Sequence, residues 1–254
     1  MASIKKSPKV SRARLDQLVV ERGLASSREV AQRLIRAGRV MLNGQLRQKP
    51  GHTYSSDADV EVTEKDRFVG RGGLKLLTAF EHFALDVRDK DCLDVGASTG
   101  GFTDCLLQHG ARRVCAIDVG KGQLDWGLRN DSRVVVMEGI NARYLQRDAF
   151  EGEATFATID VSFISLTLIL PAVREILSAT GEVVALIKPQ FEAGREHVGR
   201  GGVVRDASVH EAVQRKVELF VKDTLDMEWL GACEAKPRGP AGNVEFLAYF
   251  RGRR

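Results

Sequence analysis

One stretch, Leu93-Asp94-Val95-Gly96-Ala97-Ser98-Thr99-Gly100-Gly101-Phe102, limits the fold more than any other part of this 254-residue chain. A short apolar strand ends in a carboxylate, a loop with glycines at 96, 100 and 101 follows, and a helix is expected to begin near Phe102. Glycine permits a sharp turn and lets a ligand approach the backbone with no Cβ in the way. The helix start adds unpaired N–H groups. At the carboxyl end of a parallel strand, such a loop makes a nucleotide-type pocket. The spacing is G-x-x-x-G-G and not G-x-G-x-x-G, which argues against a nicotinamide dinucleotide and towards S-adenosylmethionine. A tight turn holding no ligand is the plainer alternative.

The chain around the loop supports the ligand reading. Beyond residue 70, strand-like apolar runs alternate with helical patterns, as in a parallel sheet with helices on both faces. Strands are expected at 92–95, 113–118, 134–137, 155–160 and 182–188, with a closing antiparallel hairpin from 227–233 and 244–250. The second strand ends at Asp118, 22 residues after Gly96, where a carboxylate suits ribose hydroxyls. Asn141 follows the third strand, within reach of an adenine. An Asp that merely opens a loop is the alternative for residue 118.

Charge divides the chain in two. Residues 1–51 hold twelve Lys/Arg against three Asp/Glu, whereas the remainder holds 26 against 31. A basic module on a mildly acidic body suggests a polyanion held by the first part and processed by the second. The module reads as helix, helix, then a small sheet. Ser11 is expected to cap the first helix, which Gly23 ends, and Ser26 with Glu29 to form a capping box for the second. On that second helix Val30, Ala31, Leu34 and Ile35 share one arc, and Arg28, Gln32, Arg33 and Arg36 the other. With Arg14 and Arg39, these arginines suit bidentate bonding to phosphate; a merely solvated face is the alternative. The wording Arg14-Leu15-Asp16, Gly23-Leu24-Ala25-Ser26-Ser27-Arg28, Gly38 and Asn43-Gly44 closely resembles the S-four RNA-binding domain. The domains expected are therefore 11–62 for RNA, 63–70 as linker, and 71–254 as the larger body.

Four ionisable residues stand where a sheet edge gathers chemistry. Lys75 lies in the first turn of a helix beginning near Gly72, where a cation opposes the helix dipole. Asp160 ends the fourth strand, and Lys188 ends the fifth before Pro189 stops it. Glu245 lies near the start of the last strand, which runs back to the same edge if antiparallel. Each alone has a bland reading as a surface or capping group; together they look like a site. Residues 190–205, with Arg195, Arg200, Arg205 and four glycines, read as a mobile basic loop over it, touching RNA phosphates.

In this order and placement, the four match the Lys-Asp-Lys-Glu set of FtsJ-like RNA 2′-O-methyltransferases. The whole chain resembles the TlyA (hemolysin A) family, through Arg71-Gly72-Gly73-Leu74-Lys75-Leu76, Ile159-Asp160-Val161-Ser162-Phe163-Ile164-Ser165-Leu166, Leu186-Ile187-Lys188-Pro189-Gln190-Phe191-Glu192 and Gly242-Asn243-Val244-Glu245-Phe246-Leu247. The resemblance implies a Rossmann-like α/β sheet, S-adenosylmethionine as cofactor, ribosomal RNA or ribosomal subunits as partner, and Lys188 as general base. It departs at Phe68, where some members carry tryptophan, so no coupling through the linker is carried over.

Other classes find less support. No apolar run approaches the ~18 residues that span a bilayer, and the basic start lacks the apolar stretch of a signal peptide, so a cytoplasmic protein is expected. Cysteines 92, 105, 115 and 233 show no C-x-x-C spacing and the histidines are scattered, so neither disulfides nor a metal site is expected. The rival readings are a membrane-acting hemolysin, an RNA-binding assembly factor with an inactive methyltransferase fold, and a Rossmann dehydrogenase.

Overall fold

A computed structural model describes residues 11–63, 67–147 and 150–253. The basic start of the chain and residues 64–66 of the expected linker lie outside the described residues. Two compact units emerge, Met1–Asp66 and Arg67–Arg254.

The first unit is α+β. Its elements are β1 (Arg12–Arg14), α1 (Leu15–Glu21), α2 (Arg28–Arg36), β2 (Val40–Leu42), β3 (Gln45–Arg47), β4 (Thr53–Ser55) and β5 (Val60–Val62). Strand β1 pairs with β4, and β2 lies between β3 and β5, all antiparallel. Leu15, Leu18, Val19, Ala31, Ile35, Val40 and Val60 form its core, so the apolar arc of α2 faces inward. Two expected caps shift. Ser11 precedes a strand instead of capping a helix, because the apolar run opens only at Leu15. Ser27, not Ser26, caps α2 by accepting from Val30 N at 3.3 Å.

The second unit contains α3 (Arg71–Phe83), β6 (Asp91–Val95), α4 (Gly101–Gln108), β7 (Arg113–Asp118), α5 (Trp126–Arg129), β8 (Val134–Glu138), β9 (Ala154–Ile159), α6 (Leu170–Ile176), β10 (Leu177–Ile187), α7 (Pro189–Glu192), α8 (Ala207–Leu219), β11 (Met227–Glu234) and β12 (Phe246–Gly252). The sheet order is β11-β12-β10-β9-β6-β7-β8. Strands β10, β9, β6, β7 and β8 run parallel, and β12 and β11 close the edge antiparallel. The chain steps outward from β6 through β7 to β8, then crosses to β9 on the other side of β6. That reversal opens a crevice beyond the carboxyl ends of β6 and β9.

Strand alternation decides what reaches the crevice. On β10, Val183, Ala185 and Ile187 enter the core cluster that includes Val173 and Val213, while Val184 and Leu186 enter the cluster that includes Leu76 and Leu106. Lys188 keeps extended backbone after the strand, so it continues the second series, towards α3. Phe68 is 3% exposed and packs in that same cluster, so it belongs to the core of this unit and not to a solvated connector. A Cβ on Gly73 would stand 2.3 Å from its ring, which fixes the start of α3 against it.

Candidate active site

The loop after β6 is shaped by close approach. Gly96 has φ +86°, and a Cβ there would lie 2.4 Å from the Asp160 carbonyl oxygen, so only glycine lets β6 and β9 end side by side. Gly100 also has positive φ, but its missing side chain makes room for Leu124 and Leu128. Its lack of a side chain serves that packing. Asp94 lies beneath the loop. It is fully buried, accepts from Thr103 Oγ1 at 2.6 Å and Thr158 Oγ1 at 2.9 Å, and so ties α4 to β9 beneath the loop. Burial pushes its carboxyl up to about 6. Alternation puts it on the strand face opposite Leu93 and Val95, which the motif alone does not reveal.

Three cavities adjoin at the sheet edge. One of about 530 Å³ is lined by Gly96, Ser98, Asp118 and Asn141 together with apolar Ile117, Ile140, Val161 and Ile164. A smaller one of about 190 Å³ adds Ala97, Thr99, Gly101 and Phe102 to Gly96, Asp160 and Lys188. The third, about 550 Å³, holds Lys75, Asp160, Lys188 and Glu245. Asp160 and Ser162 line all three. Asp118 accepts from Ser98 N at 2.8 Å and Gly120 N at 2.7 Å, which fixes its carboxylate at the end of β7. Asn141 accepts from Arg143 N at 3.1 Å.

The structure brings the four ionisable residues together as two ion pairs. Lys75 Nζ lies 2.6 Å from Glu245 Oε2, with both side chains buried. Lys188 Nζ lies 2.5 Å from Asp160 Oδ1, and donates to Ser162 Oγ at 2.8 Å. The Asp160 oxygen is buried but accepts no well-directed hydrogen bond among the described residues. Its charge is paired with the Lys188 ammonium against which it is buried. Gln190 donates to Glu245 Oε1 at 3.3 Å, while its own Oε1 has no partner among the described residues.

Sequence reasoning missed several groups here. Ser162 follows Asp160 in an exposed turn, where no periodicity marks it. Phe163 is 90% exposed with φ +64°, and its ring centroid lies 4.9 Å from that of Phe191. Glu192, 7% exposed, accepts from Ser165 Oγ and Leu166 N, both at 2.6 Å, and pairs with Lys216 at 3.2 Å. It pins the loop after β9 to the segment after β10. Its spacing from Lys188, in a motif otherwise read for Lys188 alone, was the available signal.

The carboxyl-terminal end of the 190–205 segment is tied to Asn243. Asn243, 2% exposed, accepts from Val204 N at 3.0 Å and donates to Gly202 O at 2.9 Å. Val198, Gly201 and Gly202 line the cavity of the ion pairs, and Arg195, Arg200 and Arg205 are exposed. No group of His, Cys, Asp and Glu able to hold a metal occurs among the described residues. Burial pushes the Cys92 and Cys115 thiols up to about 12, so neither is a ready nucleophile.

In the first unit, Asp16 is fully buried and organises the arginines. Arg14 Nε and Nη2 donate to its two oxygens at 3.0 and 2.9 Å, Arg28 donates at 3.3 Å, and Gln32 at 2.8 Å. The Arg14 hydrogen bonds hold the Asp16 carboxyl far below the usual carboxylate range. Arg14 and Arg28 keep side chains 42% and 52% exposed. Arg33 and Arg36 are exposed, and Arg39 is half-buried with its guanidinium on Thr63 O.

Comparison with known proteins agrees with this anatomy. Residues 68–252 match the model of the FtsJ-like methyltransferases, and residues 13–60 that of the S4 domain. The Bacillus subtilis protein YqxC, provisionally named an rRNA methyltransferase, is 49% identical over 242 residues, covering 93% of this chain and 85% of its own. The 16S/23S rRNA (cytidine-2′-O)-methyltransferase TlyA of Mycobacterium tuberculosis is 45% identical over 244 residues, covering 94% and 90%. A solved structure from Streptococcus thermophilus, provisionally named a hemolysin, superposes with TM-score 0.73 at 47% identity, covering 96% of this chain and 89% of that one.

Proposed function

The chain belongs to the FtsJ-like methyltransferases, in the TlyA (hemolysin A) branch that carries an S4 domain, and from that premise we propose that it methylates a ribose 2′-hydroxyl of ribosomal RNA using S-adenosylmethionine. The observation that carries the reading is the junction at Asp160 and Ser162, where the nucleotide-type cavity meets the one holding Lys188.

The residues present fit the cofactor. Asp118 suits a ribose diol, and the apolar lining with Asn141 suits an adenine. S-adenosylmethionine, when bound, supplies an electrophilic methyl group on a sulfonium centre. The protein's task is to align a hydroxyl with that group and remove its proton. Alignment alone can be worth ~10⁵ M in effective concentration or more.

Lys188, in its amine form, is the general base. Asp160 stabilises the ammonium produced, and the buried Lys75–Glu245 pair holds the floor of the substrate cavity. Phe163 offers an exposed ring at the mouth of that cavity, where an unstacked base finds a π face. Arg14, Arg28, Arg33, Arg36 and Arg39 of the first unit, and Arg195, Arg200 and Arg205 of the second, supply phosphate contacts. No helix among the described residues is long and apolar enough to cross a membrane.

Lys188→Ala tests the reading. Methyl transfer to ribosomal subunits, followed with radiolabelled cofactor, should disappear, while calorimetric affinity for S-adenosylhomocysteine stays within a fewfold of wild type. Loss of both together makes Lys188 structural and sinks its role as base.

A further inference from the structure

We propose that the Ser162 hydroxyl is a catalytic proton relay between the reacting ribose hydroxyl and Lys188, a role that rests on the ribose-methylation reading above. The Lys188 side chain is 10% exposed, lies 2.5 Å from Asp160 Oδ1 and donates to Ser162 Oγ at 2.8 Å. Ser162 itself is exposed, and it borders the cofactor-type cavity and the substrate cavity alike. It is therefore a polar group that both bonds the amine and fronts the cavities where hydroxyl and methyl must meet, which Asp160 lines as well.

Serine suits the task because one hydroxyl donates and accepts at once. As the ribose O–H bond breaks, its proton passes to Ser162 Oγ, and the Ser162 proton passes to the Lys188 amine. The ribose oxygen forms its bond to the methyl carbon, the carbon–sulfur bond breaks, and its electron pair goes to the formerly positive sulfur. The new ammonium is left beside Asp160, whose carboxylate is already in place. Ser162 ends the cycle as the neutral hydroxyl it began as. Phe163 turns left-handed directly after Ser162.

Single-turnover methyl transfer by the full chain tests the relay. Ser162→Ala should slow transfer about 10²-fold, in the range of a lost acid–base group, with S-adenosylhomocysteine affinity unchanged. Ser162→Thr, which keeps a hydroxyl, should recover to within about tenfold of wild type. In mixtures of light and heavy water, the wild-type rate should follow a bowed curve from two protons in flight, and Ser162→Ala a straight line. In the protein without cofactor, the ¹⁵Nζ signal of Lys188, assigned by its loss in Lys188→Arg, should move in Ser162→Ala and return in Ser162→Thr.

A full rate in Ser162→Ala, an unchanged bow in its slowed rate, or an unmoved Lys188 signal each overturns the relay. Cofactor affinity falling in step with rate does so too, by making Ser162 structural. Wild-type protein that methylates no RNA ribose sinks the underlying function instead, whereas active wild type with a fully active Ser162→Ala sinks the relay alone.

Discussion

Two buried aspartates respond to pH with opposite signs. Asp94, held up at about 6 chiefly by burial, binds a proton more tightly folded than unfolded. Stability attributable to it is present at low pH and is lost as pH rises between its ordinary value near 4 and about 6. Asp94→Asn keeps shape and hydrogen-bonding capacity, so denaturant melts should show it gaining on wild type by roughly 2 kcal/mol on going from pH 4 to 7.5. A gain independent of pH would show that the carboxyl does not ionise in that window. Asp16 is the reverse, held down by the Arg14 hydrogen bonds. Its contribution is full above the ordinary carboxylate value and disappears as pH falls towards the depressed one, so Asp16→Asn should be most destabilising near neutrality and least in acid. The sequence offered both aspartates in recognisable motifs, yet not which way each faces. Asp94 was legible as the end of a strand and not as a buried strut, because the difference is one of strand alternation beside Thr103 and the distant Thr158.

At the level of elements, the loop after β9 and the short α7 after β10 act as one piece, joined by Glu192. Glu192→Ala removes the acceptor for the buried Leu166 N–H and for Ser165, and an orphaned buried donor costs ~1–3 kcal/mol. Melting should reveal a loss of that size. Because the same loop carries Asp160, Ser162 and Phe163, transfer should fall further than the melting predicts at temperatures where the variant is still folded. Activity tracking stability alone would separate the clamp from the chemistry. The strands were legible to within a few residues wherever apolar runs ended at a charge or a turn, as at Asp118 and at Lys188 before Pro189. The starts of α1 and α2 were less so, since consecutive Ser26 and Ser27 look alike until one of them accepts the amide of Val30.

For the whole molecule, the excess of basic residues over 1–51 was plain from charge alone, and the compact units divide later, after Asp66. Phosphate contacts release counterions, so RNA affinity of the full chain should fall steeply with salt. Replacing exposed Arg33 and Arg36 with alanine should weaken binding to all RNA sequences and flatten the salt dependence by roughly one unit per lost contact. At saturating subunits the transfer step should be unaffected. An unchanged salt slope in filter-binding titrations would place the RNA on some other surface. The gathering of Lys75, Asp160, Lys188 and Glu245 was the part of the site best announced by the sequence, through their order along alternating strands and helices. Ser162 and Phe163 were hidden because exposed residues in a turn obey no period.

The left-handed backbone at Phe163 carries a consequence of its own. At φ +64°, a side chain of any kind is a burden that glycine escapes, by ~1–2 kcal/mol. Phe163→Gly should therefore melt higher than Phe163→Ala, although both lose the ring and with it most methyl transfer. At that one position the strain of the backbone and the packing of the ring on Phe191 pull in different directions.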